Sequence, residues 1–176
     1  MAICTPYIPD NNVGKISPVT STARPTGGDL YAGRTIYETD TNRMLQYDGT
    51  GWVILAEPSQ SFTMSVSAGS GTFTLLGDQA FTYNRHDGWL TWEAQIEITT
   101  NGSAGSYVIT SLPVAPLIAN MHLGNGKERV AGLHLMTVHA FVGASALILK
   151  YDGSYPGGSG NSLWMSGSYP MLSRYS

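Results

Sequence analysis

Charged side chains are scarce in this chain: Asp, Glu, Lys and Arg make up 12% of its 176 residues, about half the ~25% usual in soluble domains. Its surface must therefore be covered by Ser, Thr, Gly, Asn and Tyr, or be buried against other chains, which suits a component of an assembly. Cysteine is limited to Cys4, which excludes an internal disulfide and a Cys-based zinc site. The formal net charge is −3 and the longest basic run is Lys127-Glu-Arg129. Binding nucleic acid by counterion displacement needs clustered Lys and Arg, so no nucleic-acid partner is expected. No apolar run reaches the ~18 residues of a membrane span. The opening residues lack a basic-then-apolar leader, so synthesis in a cytoplasm without a secretion signal is expected. A sustained 3.6-residue apolar stripe with caps is also missing, which leaves little room for helix.

What the chain does contain is β-strand and turn chemistry. Hydrophobic residues at 42% can support a core. Ile36–Glu38, Met44–Tyr47 and Trp52–Leu55 read as three short strands. Thr39–Asn42 and Asp48–Gly51 supply tight turns between them, through Asp and Asn side chains that bond back to the backbone and glycines that tolerate positive φ. In this stretch Glu38, Asp40 and Asp48 read as turn and surface residues. A meander of residues 33–58 cannot bury much alone, so a second domain or other copies of the chain must complete it. Residues 1–32 carry Pro6, Pro9, Pro18 and Pro25, and proline removes donors and disfavours regular structure before it. They are expected to form an extended docking arm without regular elements, with Ile3, Tyr7, Ile8, Val13 and Ile16 as anchors.

Glu57–Ser61 reads as a linker, and residues 59–176 as a second all-β domain. Its expected strands are Phe62–Val66, Thr72–Leu76, Ala80–Arg85, Trp89–Thr99, Tyr107–Leu112, Asn120–Leu123, Val130–Val142, Ser145–Tyr151 and Ser162–Met165. Trp89–Thr99 is the clearest. Leu90, Trp92, Ala94, Ile96 and Ile98 alternate with Thr91, Glu93, Gln95 and Glu97, the period of two of a strand with one buried face. Turn signals at intervals of about ten residues point to a sandwich. The expected fold is all-β: an extended N-terminal arm, a short β-meander, then an antiparallel, jelly-roll-like β-sandwich.

Catalytic constellations are hard to find. Gly-x-Ser-x-Gly and the phosphate-binding glycine loops are missing. Glu93 and Glu97 share a strand face, but four residues of strand place their Cα atoms roughly 13 Å apart, too far for a glycosidase pair. They read as outer-face charges. His134 and His139 fall on opposite faces of one strand, which disfavours a shared metal; a site assembled from histidines of several subunits stays open. No catalytic residue, metal or cofactor is expected. Tyr and Trp, with an apolar body and a polar tip, suit interfaces and sugar stacking. Tyr151, Tyr155, Trp164 and Tyr169, in and beside the Gly/Ser-rich C-terminal segment, are candidates for an outward binding surface.

Arg24-Pro-Thr26, then Tyr31–Thr41, then Tyr47-Asp-Gly-Thr-Gly-Trp52, resembles a short module of tailed-bacteriophage virion proteins: minor tail proteins, tail fibres, and head-fibre or decoration proteins. The segment Tyr83-Asn-Arg85, His86-Asp-Gly88, the long strand after it and Ser111-Leu-Pro113 are similar to phage β-sandwich domains. Together these cover most of residues 24–116. The resemblance implies a non-enzymatic protein on the virion surface, assembled in the host cytoplasm, with itself as partner in a homotrimer and a tail or major capsid protein as neighbour. Two positions stay open: a tail or fibre-tip protein contacting host cell-wall glycan, and a capsid decoration or head-fibre protein docked through its arm. A host-glycan-degrading enzyme is the distant alternative.

Overall fold

Strand alternation and turn chemistry resolve into two sheets in the computed structural model, which describes residues 16–69, 71–77, 79–101, 107–129, 134–150 and 160–172. The first sheet holds β1 (Ser17–Val19), β2 (Thr35–Glu38), β3 (Arg43–Tyr47) and β4 (Trp52–Ala56), in that order. The pairs β2–β3 and β3–β4 are antiparallel, and so form the expected meander. Asp48 makes its second turn, accepting from the backbone N–H groups of Thr50 at 2.9 Å and Gly51 at 3.0 Å.

Two expectations about this region are corrected. The stretch before the meander was expected to hold no regular element, yet β1 runs parallel to β2 at the sheet edge. An edge strand tolerates Pro18 because one side of its ladder needs no donor. Val19 packs on the small core of Ile36, Leu45 and Ile54, so Ser17–Val19 belongs to the sheet. Of the docking anchors, Ile16 is 49% exposed just before β1. Ile3, Tyr7, Ile8 and Val13 lie outside the described residues. The second correction is Glu38, which is fully buried instead of lying on the surface. A carboxylate there needs partners, and Arg24 Nε and Thr41 Oγ1 donate to it.

The larger sheet contains β5 (Gln60–Met64), β6 (Val66–Ala68), β7 (Phe73–Leu75), β8 (Gln79–His86), β9 (Trp89–Asn101), β10 (Tyr107–Ser111), β11 (His122–Glu128), β12 (Leu135–Ala140), β13 (Ser145–Lys150) and β14 (Asn161–Pro170). Its order is β5-β8-β9-β14-β11-β12-β13-β10-β6, with β7 also on β9. All of these pairs are antiparallel. The two ends of this path, β5 and β6, are separated in the chain only by Ser65. At that corner the Ser65 N–H donates to Ser111 Oγ at 2.8 Å, and the Ser111 N–H donates to the Ser65 carbonyl at 2.9 Å. One chain segment thus joins both ends of the ladder, and the sheet folds over so that its halves share one core. Phe81, Trp92 and Ile96 from one half pack in the same buried cluster as Val108, Val138 and Ile148 from the other. The architecture is all-β and consistent with a β-sandwich.

Two strands run further than their sequences suggest. β11 was expected to stop at Leu123 and β14 at Met165, but they run to Glu128 and Pro170, through Gly124, Gly126 and Gly167. Gly124 and Gly167 face one another across the β11–β14 ladder. A Cβ on Gly124 would overlap the Ser166 carbonyl, and one on Gly167 would overlap the Leu123 carbonyl. These glycines allow two backbones to approach closely, a role a strand interior permits.

The two sheets meet at Glu57, in the stretch that reads as a linker. Its side chain is fully buried. Arg85 on β8 donates to it through Nε at 2.7 Å and Nη2 at 2.8 Å. Arg43 on β3 brings Nε to 3.2 Å. The Asp87 N–H adds a bond to the Ile54 carbonyl at 3.2 Å.

Candidate functional site

Period-two alternation on four neighbouring strands builds a groove of about 680 Å³ on the outer face of β8, β9, β14 and β11. Register sets its layout. In one row Gln95 lies beside Trp164, Trp164 beside Lys127, and Lys127 beside Leu135. In the next row Thr82 lies beside Glu93, Glu93 beside Ser166, and Ser166 beside Asn125. Ala80, which shares the row of Gln95, keeps the floor low because it carries no long side chain. A smaller hollow of about 240 Å³ continues from Thr82 and Glu93 towards Ser59.

Trp164 is the centre of this surface. It is 43% exposed, while Leu163 and Met165 on either side point into the core. The Arg129 guanidinium sits 4.8 Å from the centroid of its ring, a cation–π contact worth about 0.5–1 kcal/mol at an exposed site. That contact holds the indole in place and leaves it lining the groove. On the β9 side the groove is acidic and amidic: Gln95 Nε2 donates to Glu97 Oε1 at 2.5 Å, and Glu93 projects beside them. On the β11 side it is basic, through Lys127. Chemically the face offers one aromatic plane, hydroxyl and amide groups, and charges of both signs. Such a surface can bind a polar ligand with apolar faces.

No family model, curated protein or solved structure matches the chain.

The groove brings together only part of the aromatic set named from sequence. Trp164 is exposed as expected. Tyr169 is not: it is fully buried, its hydroxyl donates to the Val114 carbonyl at 2.9 Å, and burial pushes its phenol well above the ordinary value. Five residues of strand separate it from Trp164, so alternation turns the two to opposite faces. Tyr151 and Tyr155 lie outside the described residues.

Glu93 and Glu97 do stand on the outer face, as alternation requires. Lys127, Asn125, Leu135 and Ser166 were not recognised as site residues. A period-two pattern at Asn125 and Lys127 was there to be read, but only the long-range pairing of β11 with β14 and β9 puts them beside Trp164. The histidines pair differently from the spacing considered. His122 on β11 faces His139 on β12, with ring centroids 5.5 Å apart and planes at 74°. Burial and the charge of His122 push His139 below the ordinary histidine value. Asn125 Oδ1 lies 3.1 Å from His122 Nε2. Among the described residues no three of His, Cys, Asp and Glu gather as a metal site would need.

Proposed function

We propose that this chain is a non-enzymatic protein of a tailed-phage virion surface, which contacts the host by binding cell-wall glycan in the β8–β9–β14–β11 groove. The observation that carries the binding part is Trp164, a half-exposed indole held by Arg129 in the middle of a hydroxyl- and amide-lined concavity. Sugars present alternating C–H faces and hydroxyl edges. They gain from an aromatic plane flanked by hydrogen-bonding side chains.

The virion part rests on the phage-like module at residues 24–52 and on the low charge of the chain. A groove of this kind favours the tail or fibre-tip position, because a capsid decoration or head-fibre protein makes little demand on its outer face. Binding is favoured over cleavage because Glu93 is the carboxylate lining the groove, with the ammonium of Lys127 two strands away from it. Hydrolysis would need two carboxylates about 5–9.5 Å apart. A homotrimer, which the resemblance implies, would display three such grooves and raise avidity without new contacts.

Three experiments test the proposal. Titration of purified protein with host cell-wall glycan should show binding that Trp164→Ala abolishes. Equal binding by the variant would refute the groove, and the appearance of reducing ends would refute the non-enzymatic reading. Gold-labelled antibody on intact particles should mark the tail end, whereas labelling confined to shell facets would move the protein to the capsid. Light scattering at micromolar concentration checks the trimer, and a clean monomer would count against it.

A further inference from the structure

The groove carries two opposite charges that do not neutralise one another. Glu93 and Lys127 both line it, on strands separated by β14 and two residues apart along the strand direction. Strand spacing and rise put their Cα atoms about 12 Å apart. Among the described residues neither takes part in an ion pair; those formed are Arg24–Glu38, Arg43–Glu57 and Arg85–Glu57. Between the two charges lie Trp164 and Ser166, an aromatic plane and a small hydroxyl. Glu97 lies two residues beyond Gln95 on the acidic strand, and Arg129 sits over Trp164 on the basic side. The polarity therefore runs in one direction across the face, from an acidic β9 to a basic β11.

Building on the glycan reading above, we infer that the ligand is a zwitterionic saccharide, carrying a free ammonium group that meets Glu93 and an anionic group that meets Lys127 on neighbouring sugars. A neutral glycan would leave both charges without partners and would gain only from Trp164. A purely anionic chain would meet Glu93 with like charge, and a purely cationic one would meet Lys127. Charge complementarity across the groove selects the ligand that carries both signs.

The test uses the full chain and calorimetric titration at low ionic strength. The probes are a tetrasaccharide of alternating glucosamine and glucuronate, its N-acetylated form, and a glucosamine tetramer. The zwitterionic probe should bind most tightly. Each exposed charge should be worth about two- to fivefold in affinity, and added salt should narrow the preference. Glu93→Gln should reduce binding of the zwitterion to that of its N-acetylated form. Lys127→Gln should reduce it to that of the glucosamine tetramer. Both positions are exposed, so an unchanged circular dichroism melt is expected and checks that folding is intact. If all probes bind alike and only Trp164→Ala weakens them, the charge inference is overturned and the glycan reading stands. If no probe binds, and host-wall glycan does not bind either, the glycan reading falls and takes the inference with it.

Discussion

Replacing Glu57 by alanine should loosen the junction between the two sheets. The carboxylate is fully buried and accepts two bonds from Arg85, at 2.7 and 2.8 Å, with Arg43 Nε at 3.2 Å. Alanine would leave two guanidinium groups facing each other without a counter-charge. Removing one partner of a buried ion pair costs about 3–5 kcal/mol. The arginine side chains are 25% and 16% exposed, so water screens part of the orphaned charge and the low end, about 3 kcal/mol, is expected. That is a large share of the roughly 5–15 kcal/mol that holds a domain folded. Urea denaturation followed by tryptophan fluorescence would measure the loss. Limited proteolysis should show new cleavage within residues 56–60. A double-mutant cycle with Arg85→Ala isolates the pair, with an expected coupling of at least about 2 kcal/mol. A coupling below about 0.5 kcal/mol would refute the clamp. The junction would then rest on the Asp87–Ile54 backbone bond and on packing of β4 against β8.

Tyr169→Phe should lower stability by about 1–2 kcal/mol, because the half-buried Val114 carbonyl loses its donor. Glycan affinity should stay unchanged, and a loss of binding with intact stability would restore Tyr169 to the surface. Gly167→Ala should destabilise by about 1–3 kcal/mol in denaturant titration, since the new methyl meets the Leu123 carbonyl with no room to yield. A neutral result would show that β11 and β14 can separate freely. His139 should make stability fall with acidity. Its folded value is pushed down by burial and by His122, so above the ordinary value near 6.5 both states are neutral and stability is full. Below that value the unfolded chain takes the proton first, and stability declines until the lower folded value is passed. His139→Gln should flatten the slope in melts taken between about pH 5 and 7, and an unchanged slope would sink this account.

The strands legible in the sequence were those whose signals are local. Trp89–Thr99 alternates without interruption, and β9 was found with its faces correctly assigned. The meander was legible because Asp48 and Gly49 carry their turn chemistry within four residues of one another. The expected ends of β11 and β14 fall before glycines, and glycine carries two meanings, breaker and close-approach residue, between which only the partner strand decides. Glu57 was read as linker because two of the three side chains that make it a clamp, Arg43 and Arg85, come from distant strands.

The sequence by itself determined the all-β class, the separation of a small meander from a larger set of alternating strands, and the presence of Trp164 among candidate surface aromatics. These follow from period, turn residues and composition, which act over a few residues. The tertiary structure alone decided which aromatics face outward, which charges share a groove, and how the sheet closes at Ser65. Tyr169 and Trp164 lie five residues apart on one strand, and alternation turns one into the core and the other to the groove. Glu93, Trp164 and Lys127 meet because β14, from the end of the described chain, inserts between β9 and β11. A pairing of that range leaves no local trace in any of the three strands.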